Sequence, residues 1–202
     1  MERNTNVAAK PERRYTLEEY LELDRTSEER FEFWDGEVFC MSGGSEAHVE
    51  IESNLVAFLK PQLRDRGCRV FPAEMRIKVP SAPPYRYADV SASCGKAEFE
   101  KIGVVDTLLN PTLLVEVLSD STEAYDRGEK FSHYKSIPTL RECLLVAQHR
   151  PHVTRLFKDD EGRWIHSEEN DLGASLRLNS LDCELPLSEV YLGVDFKPPA
   201  AE

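Results

Sequence analysis

Long hydrophobic runs are missing from this chain. No apolar stretch approaches the ~20 residues that a bilayer-crossing helix needs, so a membrane role is not expected. Residues 1–14 are polar and charged, with no apolar core of a secretory signal, and a cytoplasmic location follows. Cysteine is sparse: Cys40, Cys68, Cys94, Cys143 and Cys183 are scattered, odd in number, and no two are spaced for a zinc knuckle. That predicts reduced thiols, several buried as small hydrophobes, with neither a disulfide framework nor structural zinc. Positive charge is in the minority, 25 Lys and Arg against 37 Asp and Glu, for a net charge of −12. Bulk electrostatics therefore does not draw this protein to nucleic acid; a local basic strip or metal ions must do so. A G-x-S-x-G elbow, a P-loop and a dinucleotide fingerprint are all absent, which argues against a serine hydrolase, an NTPase and a Rossmann oxidoreductase.

What is present describes an ordinary globular chain of 202 residues, 41% hydrophobic and 31% charged. It predicts one domain over residues 15–196, with disordered tails at 1–14 and 197–202. Thr16 and Glu19 form a capping box ahead of a short helix, and Asp35-Gly36 between FEFW and EVFCM signals a hairpin. Ser45 caps a long helix to about Arg66, with Ala47, Ile51, Leu55, Leu59 and Leu63 at four-residue intervals; Pro61 should kink or break it. Strands are expected from Cys68 to Val79, from Tyr85 to Ser93 and from Leu113 to Leu118. Residues 95–111 read as a connection with a helical turn. A charged helix over 119–136, an apolar strand at Cys143–Ala147, a hairpin at 152–167, and shorter strands at 175–178 and 183–185 complete the chain, with a helical turn near 187–191. Mixed α/β (α+β) architecture fits this order better than repeating βαβ units.

One segment calls for explanation: in Leu113-Leu114-Val115-Glu116-Val117-Leu118 a carboxylate sits inside an apolar strand. An ionised Glu in a core costs several kcal/mol, as an order of magnitude, unless it is paired or metal-bound. Asp89, in Tyr87-Ala88-Asp89-Val90, repeats the pattern in an earlier strand. If those strands are neighbours, two acidic oxygen donors make a site for Mg²⁺ or Mn²⁺. Each residue has a plainer alternative: Glu116 pairing with Arg76, Arg86 or Lys130, and Asp89 serving as an edge-strand turn residue. Lys130 and Tyr134 stand four apart and share a helix face; Lys130 could assist an attacking water, or be a solvated helix lysine. Glu37 after the hairpin turn and His48 at the start of the long helix are candidate accessory ligands or acid/base groups. Basic residues gather at Arg64, Arg66 and Arg69, and at Arg76, Lys78 and Arg86, either as a DNA track or as solvated surface.

Taken together, the segments Phe31–Val38, Met41-Ser42-Gly43 with His48, Tyr87–Val90, Val115–Ser119 and Tyr125–Lys130 with Tyr134 resemble the Uma-type family of bacterial proteins. The resemblance runs from about Tyr15 to Phe196, and it extends to the PD-(D/E)XK nuclease superfamily. It implies a restriction-endonuclease-like fold: a central mixed β-sheet flanked by helices, with additional β-hairpins. It also implies Mg²⁺-dependent hydrolysis of phosphodiesters in DNA, with metal-bound water attacking in line, often by homodimers. Asp89 matches the motif's Asp and Glu116 its second acid. Ala88 stands where proline is usual, and Leu118 occupies the place of the motif's lysine. The family's lysine is carried on the next helix, which makes Lys130 its match here, and Asp120 replaces a common proline. The implied set is therefore Asp89 and Glu116 as metal ligands, with Lys130, Glu37 and His48 completing the pocket. The competing reading is a non-catalytic nucleic-acid- or protein-binding module on a nuclease fold.

Overall fold

The structure, a computed structural model, describes residues 13–27, 31–34, 36–40, 43–81, 85–102, 105–120 and 122–196. The expected disordered tails fall outside those residues, apart from Arg13 and Arg14. The chain divides into two compact units, Met1–Ser42 and Gly43–Glu202. Among the described residues no helix is long and apolar enough to cross a membrane.

In the smaller unit the capping box forms in both directions. The Glu19 N–H donates to Thr16 Oγ1 at 3.2 Å, and the Thr16 N–H donates to Glu19 Oε2 at 2.8 Å. Helix α1 (Leu17–Thr26) follows and buries Tyr20, whose ring stacks on Phe33 at 5.3 Å between centroids. Strands β1 (Phe31–Trp34) and β2 (Glu37–Cys40) pair antiparallel with Trp34 opposite Glu37. Gly36 makes the turn at φ +83°, a left-handed conformation that glycine adopts without a Cβ clash.

In the larger unit Ser45 Oγ accepts the His48 N–H at 3.2 Å and starts α2 (Glu46–Arg64). The four-residue repeat lines up Ile51, Leu55, Leu59 and Leu63, all fully buried. Pro61 does not break this helix, which runs through it to Arg64. It lies in the last turn, where the loss of one backbone bond is outweighed by the burial of Leu59 and Leu63 on either side.

The strands that follow are β3 (Cys68–Pro72), β4 (Arg76–Lys78), β5 (Tyr85–Tyr87), β6 (Val90–Cys94), β7 (Phe99–Ile102), β8 (Val105–Leu108) and β9 (Leu113–Leu118). A helical stretch then runs through α3 (Glu123–Tyr125), a π-turn (Asp126–Lys130) and α4 (Phe131–Tyr134). The chain closes with β10 (Glu142–Ala147), β11 (Val153–Lys158), β12 (Trp164–Glu169), β13 (Ser175–Leu178), β14 (Cys183–Pro186) and α5 (Leu187–Val190). The central six-stranded sheet has the order β12-β11-β10-β9-β6-β3; β9 and β10 are parallel and the other pairs antiparallel. A four-stranded sheet, β5-β4-β8-β7, and the hairpin β13-β14 stand beside it. This is the expected mixed α+β architecture, a mixed central sheet with helices and extra hairpins.

Strand β9 separates two cores by its alternation. Leu113, Val115 and Val117 join the α2 leucines in one cluster. Leu114 and Leu118 join Phe131, Tyr134, Leu140, Cys143 and Leu145 in the other. Glu116 has the parity of Leu114 and Leu118, so it points toward the π-turn and α4.

Several expectations are corrected. The strand read over 85–93 is two strands in different sheets, broken at Ala88 and Asp89. The run 68–79 likewise divides between β3 and β4. Residues 95–111 hold the β7-β8 hairpin rather than a helical turn, because β8 finds a parallel partner in β4. Cys68 and Cys94 are disulfide-bonded, not reduced. They are directly opposed in the antiparallel β3–β6 register, a relation that spacing in the sequence does not display. Cys143 and Cys183 are free and buried. Arg76 and Arg86, proposed for a basic DNA track, are both 0% exposed. Arg76 donates to Thr107 Oγ1 at 2.8 Å, so these two leave the second basic cluster, while Arg64, Arg66 and Arg69 of the first are exposed.

Leu55→Ala, in the middle of the α2 stripe, is expected to cost about 2–5 kcal/mol of stability. Urea denaturation followed by circular dichroism would read this as a lower midpoint at unchanged slope.

Candidate metal and acid/base site

The site lies where β6 begins and β9 runs beside it. Their register pairs Val90 with Val115, and continued by one residue it sets Asp89 across from Glu116. Asp89 sits in the break between two sheets, not within a strand as expected, and a backbone donor holds it there. The Val117 N–H donates to Asp89 Oδ2 at 2.6 Å. Its Oδ1 faces His48 Nε2 at 3.3 Å, a contact made from the first turns of α2.

Glu116 lies deeper, 3% exposed, and both its oxygens are held from the helical stretch. Lys130 Nζ donates to Oε2 at 2.8 Å, and the Tyr134 hydroxyl donates to Oε1 at 2.5 Å. Lys130 is therefore a buried partner rather than a solvated helix lysine. Of the three cations offered as partners of Glu116, Lys130 makes an ion pair with it. Asp126 Oδ1 approaches the same ammonium at 3.6 Å.

Local helix geometry explains the alignment. Asp126, Lys130 and Tyr134 are spaced by four, a spacing that drifts around a regular α-helix of 3.6 residues per turn. The π-turn at Asp126–Lys130 is wider, so its drift opposes that of α4, and the three polar groups reach one side. Such turns recur at functional sites.

Two carboxylates completing the pocket were not singled out from the sequence: Asp126 and Glu52. Glu52 stands four residues after His48 on α2, and its Oε1 accepts the Ala73 N–H at 3.3 Å. Spacing was the available signal in both cases, since Asp126 precedes Lys130 by the same interval at which Tyr134 follows it. Glu37 lies on β2 of the smaller unit, whereas Asp89, Glu116, Lys130 and His48 all belong to the larger one.

The electrostatics follow from crowding four carboxylates into a poorly hydrated space. Burial pushes the Glu116 carboxyl well above its usual pKa. Lys130 opposes this, and the charges of Asp89 and Asp126 add to it. Glu52 is also raised, by burial first; the Ala73 N–H works against that and the Asp89 charge with it. For His48, burial disfavours the imidazolium, but the Asp89 hydrogen bond and charge, with Glu52 and Asp126, outweigh it and raise the pKa. Behind Glu116, burial lifts the Cys143 thiol well above its ordinary range, so it stays neutral.

A second buried acid gives the contrast. Glu142 is 1% exposed, but Arg155 donates to its Oε1 through Nε at 2.7 Å and forms an ion pair with it, Nη2 lying 2.5 Å away. The Ser180 N–H donates to Oε2 at 2.9 Å, with the Ser180 hydroxyl on the same atom. That carboxylate is matched by its own cation and ties the β13-β14 region to the sheet. The Glu116 pocket instead holds four acids against Lys130 and His48, an excess of negative charge.

Among the described residues no three His, Cys, Asp or Glu side chains form a ready-made metal cage. The donor chemistry nonetheless suits a hard divalent cation. Asp89, just before β6, and Glu116, on the neighbouring β9, offer carboxylate oxygens, and the surplus charge favours a cation over a second lysine.

A family model, Uma2, described as "Putative restriction endonuclease", matches residues 17–188. The Synechocystis protein slr1290 is 32% identical over 181 residues, covering 89% of this chain and 92% of its own. A second Synechocystis protein, sll1609, is 31% identical over 153 residues, covering 76% and 86%. The crystal structure of a "putative nuclease belonging to DUF820" from Anabaena variabilis superposes with a TM-score of 0.70 at 17% identity, over 87% of this chain and 97% of that one. That likeness shows a shared fold.

The raised Glu116 pKa has a definite sign in stability. The folded state holds this proton more tightly than the unfolded chain, whose Glu titrates near ~4.3. The resulting stabilisation is fully present below that value and is lost as pH climbs through the folded pKa. Glu116→Gln is therefore expected to flatten the fall in stability between the unfolded value and neutral pH. Urea denaturation in EDTA at both ends of that range measures it, and equal slopes in variant and wild type would reject the assignment.

Proposed function

The chain belongs to the Uma2 family, whose restriction-endonuclease-like fold it shares, and from this membership we propose a divalent-metal-dependent endonuclease that hydrolyses phosphodiester bonds in DNA. The observation that carries the reading is the placement of Asp89, just before β6, across from Glu116 on the adjacent β9, with the Lys130 ammonium at 2.8 Å from Glu116. Asp89 and Glu116 would hold Mg²⁺ or Mn²⁺. When bound, such an ion polarises a phosphoryl oxygen and eases deprotonation of water at neutral pH.

The chain's own residues supply the rest. The Val117 N–H fixes one Asp89 oxygen, so the carboxylate cannot rotate out of the pocket. Tyr134 orients Glu116 from behind by donating to Oε1. Lys130 keeps positive charge in a buried space, where it can offset charge building on a phosphate and help orient the attacking water. His48 and Asp89 have partly exposed side chains, which puts them at the mouth of the pocket. There the imidazole can pass a proton to or from a departing oxygen. Glu37 enters as an accessory group on the strength of the sequence alone. A homodimer would present two such pockets to two strands, and the expected cytoplasmic setting belongs to the same proposal.

Titration of Mn²⁺ and Mg²⁺ by calorimetry, followed by incubation with supercoiled plasmid, tests the reading. The wild type is expected to bind and nick, Glu116→Ala to lose both, and Lys130→Met to nick about 10²-fold more slowly. Binding without nicking would mean the pocket takes a cation but DNA is not its substrate. If the wild type bound no cation, Glu116 would be an ion-pair partner in a non-catalytic binding module.

A further inference from the structure

Asp126 has no part in the scheme above, yet it is buried in the same pocket, 5% exposed. It lies beside Glu116, where its charge works against ionising that acid. Lys130 stands between them, 2.8 Å from Glu116 Oε2 and 3.6 Å from Asp126 Oδ1. The lysine thus has a near acceptor and a second one a short swing away, both on rigid elements.

The π-turn carrying Asp126 is itself anchored. Arg127 donates through Nε to Glu123 Oε1 at 2.7 Å and through Nη1 to Thr154 Oγ1 at 3.0 Å, fixing the turn against β11. Asp126 is therefore not free to drift when its neighbours rearrange. Glu116 cannot give the same lone pairs to an ammonium and a divalent cation, and a buried ammonium left without a partner is strongly unfavourable. A second carboxylate one turn back on the same helix removes that obstacle.

We propose that Asp126 is a positioning residue: it receives the Lys130 ammonium as Glu116 turns Oε2 to a divalent cation, so that the lysine stays in the pocket. This rests on the endonuclease reading. Without Asp126, Lys130 loses a buried acceptor, and it competes with the cation for Glu116.

The test is a mutant cycle on the full chain, with Mn²⁺ alone titrated by calorimetry into wild type, Asp126→Asn, Lys130→Met and the double variant. Asp126→Asn is expected to weaken Mn²⁺ binding about tenfold in the wild-type background and to change it less than about twofold once Lys130 is gone. A loss of equal size in both backgrounds would overturn the proposal, because Asp126 would then act on the ion directly through its field or as a ligand. No loss in either background would overturn it too. Circular dichroism checks that each variant is folded, and Lys130→Gln replaces Lys130→Met if the latter is not. A second readout is plasmid nicking at saturating Mn²⁺. A positioning role predicts a kcat that stays about tenfold low in Asp126→Asn, whereas full recovery at saturation would reject it. Failure of the wild type to bind Mn²⁺ would remove the endonuclease reading itself, an outcome distinct from wild-type binding that Asp126→Asn leaves untouched.

Discussion

An acidic side chain in the middle of a β-sheet is a demand that the surrounding chain has to meet, and the Glu116–Lys130 pair is where this protein meets it. Removing one partner of such a buried pair typically costs about 3–5 kcal/mol. The local architecture follows from that demand. A π-turn replaces a regular helix after α3, Tyr134 is brought to the second oxygen, and the chain between β5 and β6 breaks so that Asp89 can face the same region. The α2 core is left intact, because the alternation along β9 keeps Val115 and Val117 with α2 while Glu116 looks toward the second cluster.

What the sequence disclosed, it disclosed through contradiction and spacing. Glu116 was legible because a charge interrupts an apolar strand, and Lys130 with Tyr134 because four residues separate them. The capping box, the Asp35-Gly36 turn and the α2 stripe were legible because they are local. Less visible was anything set by pairing between distant segments. Along Tyr85–Ser93 the apolar residues shift from odd positions (Tyr85, Tyr87) to even ones (Ala88, Val90, Ala92), a change of phase beside Asp89 that marks the change of sheet and that a single-strand reading passes over. Cys68 and Cys94 become neighbours only once β3 and β6 are in register. Buried Arg76 and Arg86 looked like surface charge because a guanidinium's burial depends on what the fold packs over it. Asp126 and Glu52 carried the right spacing and were passed over as ordinary polar helix positions.

The distribution of charge also sets the terms on which any polyanion could approach. With a net charge of −12, and with two basic residues of the expected track inside the protein, long-range attraction is not available. The pocket adds local negative charge of its own. A phosphate could enter it only alongside a cation, so the surplus acidity that disfavours an empty encounter would become selectivity for the loaded one.

The disulfide places Asp89 inside a covalent ring. Cys68 and Cys94 are 26 residues apart in sequence, and the ring they close contains β4, β5 and the sheet-switching break. In the chain-entropy account a loop of this size confers about 3–4 kcal/mol by restricting the unfolded state. It also changes what a protease can accomplish. A single cut anywhere between the two cysteines leaves both ends of the ring attached to the central sheet, so β3 and β6 stay joined and Asp89 stays tethered beside Glu116. Cleavage there would open the backbone without releasing a fragment, and the two halves of the acidic site would travel together through unfolding and refolding as one molecule.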